Sequence, residues 1–82
     1  MRPKKAIFRP KETAILQQLG ENIRLARLWR QLTMEQVAER ANIARSTLWH
    51  VEKGSNHIGI GIILKVLSVF GMENELKTLA SR

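Results

Sequence analysis

Residues 32–54, LTMEQVAERANIARSTLWHVEKG, decide the fold. Their spacing predicts two short helices joined by a tight corner. Thr33 can cap a first helix over Met34–Ala41, Asn42 can take the left-handed conformation at the corner, and a second helix is expected over residues 44–53. Val37, Ala38, Ala41, Ile43, Leu48 and Val51 would form the shared apolar floor. At about 100° per residue, Ala44, Leu48 and Val51 share one side of the second helix, and Arg45, Ser46, Trp49, His50 and Lys53 share the other. That outward side is basic, polar and aromatic, and it carries no acid of its own.

These residues resemble the helix-turn-helix domains of the phage-repressor type, the Xre or lambda-repressor-like family, and the likeness runs over residues 19–79. The resemblance implies an all-α, five-helix domain with a basic N-terminal arm, whose second helix of the pair reads double-stranded DNA. It also implies that positions matching Arg45, Ser46 and His50 touch base edges. In the same family the positions matching Arg27 and Glu52 form a structural ion pair, tying the first helix to the end of the reading helix. Three departures stand out. Met34 replaces a phosphate-binding Gln, Asn42 replaces the usual corner Gly, and Gly59 and Gly61 replace a Ser and an acid, which weakens the start of the fourth helix.

Eighty-two residues suffice for one small core and leave no room for a separate catalytic lobe. The chain has no cysteine and only two histidines, His50 and His57, which cannot build a zinc site alone, so neither a disulfide framework nor a zinc site nor any other cofactor is expected. Its net charge of +7 is unevenly spread: residues 1–33 hold eight Lys or Arg against two Glu, while the remainder is nearly balanced. Such a gradient suits a polyanionic partner. No secretory or membrane segment is visible, and a cytoplasmic home fits.

Residues 1–11 read as a flexible basic arm, with Pro3 and Pro10 opposing helix, and residues 12–82 as the folded domain. A helix is expected over residues 12–31, with Leu16, Leu19, Ile23 and Ala26 in one apolar stripe and Ile15, Leu25, Leu28 and Trp29 in a second. After a loop, the apolar run GIGIILKVLSVFG predicts a helix over residues 60–70, facing inward through Ile60, Ile63, Leu64 and Leu67. Ile62, Val66 and Val69 then lie elsewhere, as a candidate dimer or partner surface. A short last helix is expected over residues 73–80, with Leu76 and Leu79 inward.

Arg45 opens the reading helix, where a guanidinium can pair with guanine in two hydrogen bonds or grip a phosphate. Ser46 can meet a base edge, bond a phosphate or cap its own helix, and Thr47 faces the sugar-phosphate chain. His50 can donate to guanine or accept from adenine or cytosine; binding that strengthens on mild acidification fits the first role. Trp49 either packs on a thymine methyl or deoxyribose, or folds over the preceding helix. Lys53, Asn56, Arg24 and the arm residues Arg2, Lys4 and Lys5 are the candidates for gripping the DNA backbone. Ser46 and His50, one turn apart, superficially resemble a nucleophile and base, but a triad also needs an acid, an oxyanion hole and a pocket, so catalysis is not expected. Two roles remain open. One is a homodimeric repressor on an inverted repeat, its reading helices roughly 34 Å apart, controlling its own operon. The other is a HipB-type antitoxin that also holds a HipA-type kinase toxin.

Overall fold

Thr33 marks where the chain changes direction. Its hydroxyl accepts from the Gln36 N–H at 3.1 Å, while the Gln36 side-chain oxygen accepts from the Thr33 N–H at 2.8 Å. This reciprocal box satisfies donors that a helix start otherwise leaves bare. The computed structural model describes residues 7–81. Five helices follow one another: α1 (Pro10–Trp29), α2 (Met34–Ala41), α3 (Arg45–Glu52), α4 (Ile60–Val69) and α5 (Asn74–Thr78), with no strand among the described residues.

The expected corner is present. Asn42 sits at φ 56, ψ 49, and the N–H groups of Asn42 and Ile43 return to the carbonyls of Glu39 and Ala38 at 3.1 and 3.0 Å. This closure ends α2 with a change of direction short enough for α3 to pack straight back on it. Val37 and Leu48 meet in the floor with no exposed surface, joined by Ile23, Ala38, Ala41, Val51, Val66, Leu67 and Phe70. Ile43 packs against their edge.

Helix α1 begins at Pro10, inside the stretch read as arm. A proline in the first turn loses an N–H that would have had no helical partner, and its fixed φ already suits a helix. The Arg9 N–H donates to Glu12 Oε1 at 2.9 Å, which secures the start. The helix ends at Trp29 because Gln31 turns left-handed, φ 56, and the N–H groups of Gln31 and Leu32 bond back to Leu28 and Arg27 carbonyls at 2.9 and 3.2 Å. Of the first expected stripe, Ile23 is buried, Leu16 and Ala26 are half-buried, and Leu19 is exposed along a groove beside α5. The second stripe stays at the surface, with Trp29 84% exposed.

Two contacts of α1 were invisible in its own pattern. Gly20 lets the helix cross the end of α3, because a Cβ there would lie 2.6 Å from the Glu52 carbonyl oxygen and 2.7 Å from the Gly54 nitrogen. Arg30 reaches the other way, donating to the Phe70 carbonyl at 3.2 Å with its guanidinium 5.0 Å from the centre of the Phe70 ring.

Helix α4 corrects the assigned face. Val66 is fully buried, and Ile62 and Val69 pack against the same core, so these three do not form an outer surface. Ile60, 71% exposed, and Leu64 point outward instead. The reason is compositional: apolar residues occur on every side of this helix, so the period alone selects no face, and packing on α2 decides. The inward seam is Ile62, Ile63, Val66, Leu67 and Phe70. At its start, Gly59 offers no side-chain cap. Helix α5 is five residues long, shorter than expected; Leu76 packs on the core, whereas Leu79 lies past its end and is exposed. Among the described residues, no helix is long and apolar enough to cross a membrane.

Candidate nucleic-acid interface

The apolar underside of α3 fixes which side chains it can offer. Leu48 and Val51 anchor the helix in the floor, and Arg45, Ser46, Trp49 and His50 are left exposed on the opposite side, with Thr47 half-buried at its margin. Helix α3 itself starts one residue later than expected: Ala44 is the N-cap and is exposed, and Lys53 is the C-cap. Ala44 has no side chain able to cap, and no acid lies in the first turn. The leading N–H groups of α3 are therefore free of a side-chain cap and can donate to an anionic oxygen.

Arg27 and Glu52 hold this helix to α1. Arg27 donates from Nε to Glu52 Oε2 at 2.8 Å and from Nη2 to Glu52 Oε1 at 3.1 Å, and its Nη1 donates to the Leu32 carbonyl at 3.1 Å. Both residues are buried. The hydrogen bond to Glu52, with the attraction of its charge, outweighs burial and raises the Arg27 pKa above its ordinary value. Arg27 thus keeps its charge, and this one arginine fixes both the end of α3 and the turn after α1.

Arg45 has a partner that its own helix does not reveal. Its Nε lies 2.7 Å from Glu35 Oε1, at the first turn of α2. The Glu35 carboxyl is held below the usual carboxylate range, first by its own backbone N–H and then by the Arg45 charge. The outward side of α3 lacks an acid, as its composition indicates, yet α2 brings one alongside.

Trp49 is 46% exposed, leaning over the margin of the helix. Its ring stands edge-on to His50, centroids 5.1 Å apart, and the Lys53 Nζ lies 5.3 Å from its centre. With Arg24, Arg27, Met34, Glu52 and Lys53 it lines a polar notch of about 510 Å³ between α1 and α3. Arg24 enters that notch paired with Glu21 at 3.1 Å. Met34 is half-buried there and packs on the core, so its position supplies volume rather than a polar contact. Asn56 is exposed in the loop after α3. Arg2, Lys4 and Lys5 lie outside the described residues.

The structure therefore gathers Arg45, Ser46, Trp49 and His50 on one exposed surface, with Lys53 and Arg24 at its flank. Among the described residues no cluster of His, Asp or Glu could hold a metal ion. Glu35, Gly20 and Arg30 escaped sequence reasoning because their partners lie on other helices. A family model described as a helix-turn-helix domain matches residues 18–79. No curated protein matches the chain.

Proposed function

We propose, since the chain belongs to the helix-turn-helix domain family, that it is a sequence-specific DNA-binding transcriptional repressor. It acts as a homodimer on an inverted-repeat operator and regulates its own operon. The observation that supports this best is the two-sided character of α3: Leu48 and Val51 buried beneath it, Arg45, Ser46, Trp49 and His50 exposed above. An α-helix with such a side fits the major groove, where arginine, serine and histidine meet base edges and the indole can cover a thymine methyl. Lys53 and Arg24 then approach the flanking phosphates, and the basic N-terminal residues add to the general attraction. Self-association is assigned to the outward residues of α4, Ile60 and Leu64, in place of the buried Val66.

Selection of bound duplexes from a random pool tests the reading. The expected result is an inverted repeat with half-sites about one helical turn apart. Equal affinity for random and enriched sequence would overturn it.

A second reading is supported by the exposed Leu25, Leu28 and Trp29 at the end of α1, which give the molecule apolar surface beyond what its core uses. In it the same protein is an antitoxin that represses its operon and also holds a kinase toxin of the HipA type. Co-purification of a kinase-sized protein encoded beside it, lost on Trp29→Glu, is the result expected. Purification of the chain without a partner, when both are co-expressed, decides for the simple repressor.

A further inference from the structure

Glu35 lies on a different helix from the reading surface, yet its carboxylate oxygen stands 2.7 Å from the Nε of Arg45. We infer that Glu35 is a positioning residue for base recognition, holding Arg45 so that the outer edge of its guanidinium is presented to guanine. This rests on the DNA-reading role of α3 proposed above.

Three observations carry the inference. The contact is made through Nε, so it does not itself occupy Nη1 and Nη2, the two terminal nitrogens that can pair with guanine O6 and N7. A carboxylate placed across the terminal nitrogens would instead compete with the base. Next, both ends of the contact start from fixed points. Glu35 is in the first turn of α2 behind the Thr33–Gln36 box, Arg45 is the first residue of α3, and the corner between them is locked by Asn42 and by Val37 and Leu48 in the core. Finally, Arg45 is a long side chain that is otherwise exposed, and holding such a chain before binding removes part of the ordering cost of association. The acid also repels phosphate, so its effect is expected in discrimination between bases rather than in total affinity.

The test compares wild type with Glu35→Gln, Glu35→Asp, Arg45→Ala and the Glu35→Gln/Arg45→Ala pair, each used to select from a randomised duplex pool. Glu35→Gln is expected to weaken the preference for guanine about two- to tenfold at one position of each half-site, the same position that Arg45→Ala affects. Glu35→Asp should retain part of that preference, and the double variant should match Arg45→Ala alone. In the free protein, the Arg45 Nε–H resonance should move in Glu35→Gln, a signature that a general change in charge would not confine to one arginine. An unchanged or sharpened guanine preference in Glu35→Gln, a change at a different position, or a stationary Nε–H resonance overturns the inference. A wild type that enriches no sequence overturns both this inference and the DNA-reading proposal, whereas a wild type that enriches one, with Glu35→Gln doing so identically, overturns this inference alone.

Discussion

Arg27 and Glu52, 25 residues apart in the chain, share two hydrogen bonds of 2.8 and 3.1 Å between α1 and the end of α3. Both are buried, so removing either leaves a charge without its partner in a poorly hydrated place. Arg27→Ala is expected to lower stability by about 3 kcal/mol, and a thermal melt checks it. An unchanged melting temperature would count against the tie. Replacing both residues together, Arg27→Met with Glu52→Leu, should recover most of the loss, because an apolar pair asks for no such partner.

Gly20 and Gly61 should respond oppositely to alanine. In an open helix position, Gly→Ala is stabilising by about 0.5–1 kcal/mol, and nothing lies within 4 Å of a Cβ at Gly61. At Gly20 the added carbon would meet three backbone atoms at 2.6 to 2.8 Å, in Glu52, Gly54 and Val51. Moving α1 away should cost about 1–3 kcal/mol and outweigh the gain in propensity. Chemical denaturation of the two variants should shift the midpoint up for Gly61→Ala and down for Gly20→Ala.

Lys53 and Arg24 flank the notch beside α3. If each neutralises one phosphate, Lys53→Ala and Arg24→Ala should each reduce the slope of log affinity against log salt by about 0.9, while leaving sequence preference in place. Fluorescence anisotropy over a salt series measures both quantities. An unaltered slope removes that residue from the set of backbone contacts.

The Glu35 carboxyl titrates below its usual range, through its own N–H and Arg45. A lowered folded-state pKa means that the stabilisation is complete above the ordinary glutamate range and is lost as pH falls through the lowered value. The difference in melting temperature between wild type and Glu35→Gln should therefore be constant near neutrality and shrink only in acid. A difference that instead grows on acidification contradicts the sign.

Val66 is buried and Ile60 exposed, so substitutions at the two should test folding and the proposed association separately. Val66→Ala empties space in the core and should cost about 2 kcal/mol. Ile60→Lys, at an exposed site, should leave the melt of the monomer nearly unchanged and shift sedimentation from dimer to monomer. A dimer that persists in Ile60→Lys places the self-contact elsewhere.

The corner could be read from sequence because its determinants are close together in the chain. Thr33 and Gln36 box within one turn, Asn42 tolerates the left-handed backbone, and Val37, Ala38, Ala41, Leu48 and Val51 keep a clean period. Helix α4 failed on the same criterion. With apolar residues all round, its inward side depends on α2, which no local period encodes, and the burial of Val66 cannot be read from it. Pro10 looks like a breaker in sequence, yet it occupies the first helical position, where a missing N–H matters least. The exposed side of α3 followed from counting residues. The acid beside it did not, since Glu35 and Arg45 meet only once the corner has closed.

Trp49 lines the notch, edge-on to His50 and with the Lys53 ammonium near its ring, while Trp29, the only other tryptophan, is largely exposed at the end of α1. The molecule consequently carries a native optical probe. With Trp29 changed to Phe, the emission of the remaining indole becomes a running record of what enters beside α3, free of any attached dye.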